Sequence, residues 1–339
     1  MVNITITDVA KHAGVSKTTV SRVLNNHAYV SEDVRLRVQQ SMTALGYAPK
    51  RAARQLKLNS SQTIGLIIPD IQNTVFQSIA RGVEDVAYAN KLNVVLCNTD
   101  DNPERQNAYL RMMLSEAAEG LVVVPTGSND GEALARVRSG GIPIILIDRD
   151  LNNFEADTIK VDNVYGARVA TRHLIELGLR RIAIIVGTQD LTPTQERLQG
   201  YKDAMIECIG AIDQDLIRFG NFKYDDGYNI TRELIESVNP PEAIFVTNNL
   251  MTMGALRALH EIDIPIPERI AVVGFDDMPW AADFCPPLTA VWQPAYELGQ
   301  QAVELLLKRI ENPERTYQKV ILKPRLIIRE SCGAKRQRM

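Results

Sequence analysis

Over most of the chain, short apolar runs alternate with longer stretches in which apolar residues recur every three or four positions. The runs fall at 64–68, 93–98, 120–124, 142–148, 181–186, 243–247 and 270–275. Runs of this length, separated by helical stretches, predict strands buried on both faces and hence parallel sheets in α/β units. Upstream of residue 62 the texture differs. Thr5-Ile6-Thr7-Asp8 has the form of a capping box, and Val9, Ala10 and Ala13 follow on one helical face. Gly14 breaks that helix and Ser16 restarts it, with Val20, Val23 and Leu24 on one side. Ser31-Glu32-Asp33 caps a third helix carrying Val34, Val38, Met42 and Leu45, and Gly46 ends it.

Charge separates the same two regions. Residues 1–60 hold nine Lys/Arg against three Asp/Glu, a net of +6 in a chain whose total is −3, so the remainder carries −9. A basic head on an acidic body points to a polyanion at one end, although a solvated helix face is also often basic. The 339 residues allow two or three domains, and 45% hydrophobic with 23% charged residues suits a globular chain. No run is long and apolar enough to span a membrane, and the N-terminus lacks a secretory pattern. Cys97, Cys208, Cys285 and Cys332 are scattered, as expected of reduced thiols in the cytoplasm.

Helix, glycine turn, second helix and packing helix is the helix-turn-helix order, which places polar residues at the start of the second helix in the major groove. Lys17 and Arg22 can donate to guanine, and Thr18 can bond to either base type or touch a thymine methyl. The same pattern is open to a small helical bundle that meets no nucleic acid. The run Ile6-Thr7-Asp8-Val9-Ala10, Ala13-Gly14-Val15-Ser16 and Thr19-Val20-Ser21-Arg22-Val23-Leu24-Asn25 resembles the LacI/GalR family of bacterial regulators, and the likeness extends along the chain. The resemblance implies operator contacts from Ser16, Lys17, Thr18 and Arg22, to which the DNA-facing set adds Thr5, Thr19, Ser21, Asn25 and Tyr47. It also implies a hinge helix and linker at 50–61, the helix ordered on DNA. There Leu56 wedges into the minor groove, Ala53 permits a close helix pair, and Arg51, Arg54 and Lys57 meet the backbone. Without DNA, a helix this short is also readable as a charged linker.

Ligands on parallel sheets bind beyond the carboxyl ends of the strands. The residues there are polar: Asn73 and Phe76 after the first run, then Asp148-Arg149, Arg197, Phe222, Asn248 and Asp276. Acceptors, donors, amides and aromatic faces together suit a molecule rich in hydroxyls. Asp70, Asp162, Asn163, Asn249 and Asp277 read instead as helix caps. The body resembles the periplasmic sugar-binding-protein fold. The expected architecture is therefore a small all-α helix-turn-helix domain (1–49) followed by a two-lobed α/β domain with parallel sheets (62–330). Crossovers are expected near Val161, Trp292 and Val320, giving one lobe of 62–161 plus 293–320 and another of 162–292 plus 321–330. Residues 331–339 read as a basic tail.

The implied activity is that of a transcription regulator, by resemblance a repressor. Its expected partners are double-stranded DNA with a near-palindromic operator, a small effector such as a sugar, sugar acid or sugar phosphate, and a second copy of the chain. No phosphate-binding glycine loop, nucleophile elbow or metal-binding histidine pair occurs, so no cofactor or metal is expected. Asp148 and Asp276 could serve a sugar hydrolase, but neighbouring arginines are expected to hold them ionised. A protein co-regulator in place of the sugar is a further option.

Overall fold

A computed structural model describes residues 4–24, 29–47 and 61–334. The chain forms two compact units, 1–61 and 62–339. In the first, α1 (Ile6–Ala13), α2 (Lys17–Leu24) and α3 (Glu32–Leu45) enclose Val9, Ala10, Ala13, Val20, Val23 and Val38. The Asp8 carboxylate accepts from the Thr5 backbone N–H at 2.8 Å and from its hydroxyl at 2.6 Å, and these bonds lower the Asp8 pKa. Gly14 and Gly46 end α1 and α3 at φ of 66° and 62°, the left-handed conformation that a glycine adopts without a Cβ clash. Ser16 caps α2, its hydroxyl accepting from the Thr19 N–H at 3.0 Å. Ser31 occupies the cap position of α3, but its side chain makes no capping bond.

The second unit holds two six-stranded sheets. The first has the order β11-β5-β4-β3-β1-β2, from β1 (Thr63–Ile68), β2 (Asn93–Asn98), β3 (Gly120–Val123), β4 (Ile144–Ile147), β5 (Asp157–Val161) and β11 (Lys319–Leu322). The second has the order β12-β10-β9-β8-β6-β7, from β6 (Ile182–Val186), β7 (Ile217–Phe219), β8 (Ala243–Val246), β9 (Ala271–Phe275), β10 (Thr289–Trp292) and β12 (Arg325–Ile327). The seven expected runs all form strands. Among the strands that the runs did not announce, β7, β11 and β12 are short and only partly buried, so their hydropathy is mixed.

Helices cover both faces of each sheet. On the first sheet, α4 (Thr74–Ala89) and α11 (Ala295–Glu311) lie on one face, with α5 (Pro103–Ser115) and α6 (Gly131–Ser139) on the other. On the second, α7 (Asn163–Glu176) and α8 (Thr192–Cys208) face α9 (Tyr224–Glu236) and α10 (Asn249–Glu261) across the strands. The helix pairs meet at glycines. A Cβ on Gly82 would lie 2.1 Å from the Tyr296 carbonyl oxygen, and one on Gly299 2.2 Å from that of Ile79. Gly200 packs in the same way on Val164.

The chain passes between sheets after β5, β10 and β11. The last passage was expected near Val320, but β11 continues to Leu322, held by its register with β5 (Lys319↔Thr158 to Leu322↔Val161). Every strand pair is parallel except β10–β12. The exception follows from the path. β11 ends where its parallel neighbours end, so β12 joins the second sheet at the carboxyl edge of its strands and must run away from that edge. The expected tail also begins too early. Ser331 and Cys332 are buried, with the Ser331 hydroxyl donating to the Val272 carbonyl at 2.7 Å and accepting from the Thr289 N–H at 2.8 Å. Residues 335–339 lie outside the described residues.

Two substitutions test this packing. Gly299→Ala should destabilise the protein by about 1–3 kcal/mol, because helix backbones must separate to admit the methyl group. Ser331→Ala should cost about 2 kcal/mol by orphaning a buried N–H and a buried C=O. Urea unfolding followed by circular dichroism measures both.

Candidate effector cleft and DNA-reading head

The carboxyl ends of the two sheets face one cleft. Asp148 follows β4 and Asp276 follows β9, both buried and both at positive φ, 66° and 75°. Phe222, after β7, is also left-handed at φ 60°, and its ring covers Gly187, where a Cβ would lie 2.0 Å from the ring. Three non-glycine residues in a disfavoured conformation at one site are strain held by the surrounding structure, a pattern common at binding sites. Asn73, Phe76, Asp148, Arg149, Arg197, Phe222, Asn248 and Asp276, the eight residues singled out in the sequence, all line this cleft. Its free volume is only about 50 Å³, room for a few waters, so the lobes must part or side chains turn to admit a larger molecule.

The polar groups are tightly connected. Arg149 Nη1 donates to Asp101 at 2.6 Å and to the Pro125 carbonyl at 2.9 Å, while its Nε has no hydrogen-bond partner and lies 3.8 Å from Asp148. Arg197 Nη1 donates to the Thr247 carbonyl at 2.6 Å, its Nε donates to Asn163 at 2.9 Å, and its guanidinium lies 3.9 Å above the Phe275 ring. Asp276 accepts from the Gln293 amide and from the Asn249 N–H. Burial pushes the Asp148 and Asp276 carboxyls above the usual carboxylate range, against the opposing pull of Arg149 and Arg197 on Asp148 and of Arg197 on Asp276. The expectation that the arginines keep both carboxyls from rising in pKa is therefore corrected: loss of water outweighs the neighbouring charge.

Capping and lining coincide. Asn73 caps α4 by accepting from the Val75 N–H, and Asn248 caps α10 by accepting from the Met251 N–H, yet both face the cleft. Of the residues read as plain caps, Asp162 caps α7, accepting from the Tyr165 N–H at 2.9 Å. Asn249 is instead the first residue of α10 and reaches across the lobes, its Nδ2 donating to Asn73 and Thr74 at 2.9 Å each. Asp277 pairs with Arg329, and Asn163 holds Arg197. Asp70 accepts from the Gln72 N–H and also takes Lys223 across the cleft at 3.1 Å. Lys223, Asp101 and Gln293 line the cleft without having been singled out in the sequence, since nothing local distinguishes them from surface residues. Among the described residues no cluster could hold a metal ion, and no helix is long and apolar enough to cross a membrane.

In the head, Thr5, Ser16, Lys17, Thr18 and Arg22 are exposed, while Thr19, Ser21 and Tyr47 are half-buried. The buried valines 20 and 23 turn the opposite face of α2 inward, which leaves Lys17, Thr18 and Arg22 in solvent. Asn25, Arg51, Ala53, Arg54, Leu56 and Lys57 lie outside the described residues.

Comparison with known proteins follows this division. Residues 5–50 match the lacI family of bacterial regulatory proteins, and residues 171–332 match the periplasmic binding protein-like domain. The ribose operon repressor of Escherichia coli K12 is 35% identical over 97% of this chain and 99% of its own length. The PurR repressor of Histophilus somni strain 2336 is 35% identical over 96% and 98%. Among solved structures, the lac repressor dimer bound to operator and the anti-inducer ONPF superposes with a TM-score of 0.83 at 27% identity, over 98% of this chain and all of that one. A LacI family regulator of Enterococcus faecium with bound ribose gives a TM-score of 0.71 at 30% identity, over 79% of this chain and 98% of its own. With the helix-turn-helix head and the two-lobed body both matched, and relatives aligned nearly end to end, this chain belongs to the LacI family of bacterial transcription regulators.

Proposed function

We propose that this protein is a repressor that binds a near-palindromic operator as a homodimer, and that a neutral sugar of pentose or hexose size, held between its lobes, alters its grip on DNA. The observation that carries the ligand class is the state of charge in the cleft. Each lining cation is already matched: Arg149 by Asp101, Lys223 by Asp70 and Asp100, Arg197 by carbonyl oxygens and an aromatic face. The groups left open are the Asp148 carboxyl, the Arg149 Nε and the Gln293 Oε1, which suit hydroxyls better than an anion. Phe76 and Phe222 supply apolar faces for the C–H surface of a ring. The ribose-bound relative and the ribose operon repressors support the same class.

Lys17, Thr18 and Arg22 read the operator from α2, backed by the phosphate-facing groups of the head. The hinge residues Ala53, Arg54, Leu56 and Lys57, outside the described residues, add contacts at the minor groove, and the protein acts in the cytoplasm, where its DNA is. Coupling between cleft and operator of the usual size, ~1–3 kcal/mol, corresponds to roughly 5- to 150-fold in affinity. The raised carboxyls of Asp148 and Asp276 are a feature that a sugar hydrolase would share, but Asp276 is already held by the Gln293 amide and the Asn249 N–H, which suits holding rather than turnover. Incubation with a sugar panel should yield no product by chromatography.

Fluorescence anisotropy on a selected palindromic DNA pool, with and without neutral sugars, sugar acids and sugar phosphates, tests the reading. Sequence-selective, salt-dependent binding shifted by a neutral sugar is the expected result. A shift by sugar phosphates alone would overturn the ligand class, and binding that nothing shifts would point to a protein co-regulator. Arg197→Ala should weaken sugar binding at least roughly tenfold, as loss of a charged hydrogen bond costs ~1.5–3 kcal/mol, and leave operator affinity intact. Arg22→Ala should cost ~1–3 kcal/mol on the operator and leave sugar affinity intact. Leu56→Ala should weaken specific binding more than non-specific binding.

A further inference from the structure

Behind the cleft wall lies a line of polar residues that reaches the cleft only at its last member. Lys160, on β5 of the first lobe, is buried and donates to Glu196 on α8 of the second lobe and to Asp150 at 3.1 Å. The other oxygen of Glu196 accepts from Asn163 Nδ2 at 3.0 Å. Asn163, at the start of α7 and fully buried, turns its Oδ1 to the Arg197 Nε at 2.9 Å. Among these, only Arg197 lines the cleft.

We propose that Glu196 is a positioning residue for the effector: by fixing which way the Asn163 amide faces, it orients Arg197 in the cleft, with Lys160 anchoring it from the opposite lobe. The inference rests on the reading of the cleft as a sugar site. Its basis is the polarity of hydrogen bonds. Lysine and arginine only donate, a carboxylate only accepts, and an amide does one at each end. Between Lys160 and Arg197, two donors, the pair Glu196 and Asn163 is consistent in one arrangement: carboxylate to Lys160 and to Nδ2, then Oδ1 to the guanidinium. Were Asn163 flipped, its N–H would face the Arg197 N–H.

Glu196→Gln keeps the shape and reverses the logic. Lys160 captures the new amide oxygen, the new NH₂ faces Asn163, and Asn163 flips to accept from it, which sets donor against donor at Arg197. In the double variant Lys160→Met, Glu196→Gln, nothing claims the amide oxygen, so it can turn to Asn163 and the original order returns. Lys160→Met alone leaves Glu196 an acceptor at both ends and Asn163 unflipped. A role in mere stability would make the double variant worse than either single change, whereas polarity predicts rescue.

The test uses the full-length protein with two readouts. The first needs no ligand: the Arg197 Nε–H resonance in ¹⁵N-labelled protein, assigned by its loss in Arg197→Lys. It should be protected from exchange in the wild type and Lys160→Met, lost in Glu196→Gln and restored in the double variant. The second is calorimetric titration with D-ribose, where Glu196→Gln should bind at least tenfold more weakly and the double variant should return to within threefold of wild type. An unchanged resonance in Glu196→Gln, or a double variant no better than Glu196→Gln with all variants folded by circular dichroism, would overturn the proposal. Failure of ribose to bind the wild type, or normal binding by Arg197→Ala, would count against the assigned ligand or cleft while the resonance still decides the role of Glu196.

Discussion

Removal of charge from water between the two lobes is the constraint on which the rest of the molecule depends. Asp148, Arg149, Arg197 and Asp276 are all about nine-tenths buried or more, and each would be costly there alone. They are tolerable because each element that reaches the cleft contributes a partner: Asp101 from the first lobe, Asn163 and Thr247 from the second, Gln293 from a crossover. Desolvation still prevails over Coulomb attraction at both carboxyls, which are raised in pKa. A cleft built in this way fixes the direction in which each of its polar groups points.

Such precision requires stiff lobes, and the packing supplies them. Each sheet is buried between two helix layers, and helix pairs approach through glycine until backbone touches backbone. Stiff lobes joined by three short crossovers are the architecture on which hinge closure is usually based. Lys223 to Asp70 and Asp100, and Asn249 to Asn73 and Thr74, tie the lobes at the cleft, while Lys160 to Glu196 ties them close to the first crossover. Opening the cleft thus requires rupture of specific polar contacts, which a ligand can replace and so bias.

The head works by other means. Its six-residue apolar core is small, and α2 relies on Ser16 at its start and on valines beneath it to present Lys17, Thr18 and Arg22. Association with DNA is governed by charge at the surface, where cost is low and salt matters; the effector is governed by charge in the interior, where each partner is obligatory.

Sequence by itself determined the division into a basic helical head and an α/β body, seven of the strands and the kind of residue that ends them. Those features are local: periodicity, caps and strand-end chemistry are set by residues a few positions apart. All eight cleft residues could be nominated because parallel strands bring their ends to one edge. Tertiary structure alone decided the rest. It seated Ser331 in a core instead of a tail, turned β12 against its neighbour, sent Asn249 across the cleft and enlisted Gln293, Lys223 and Glu196. It also reversed the expected direction of the pKa shift at Asp148 and Asp276. Each of these depends on what lies opposite a residue and on how much water remains around it, and neither quantity is a property of neighbouring positions in the chain.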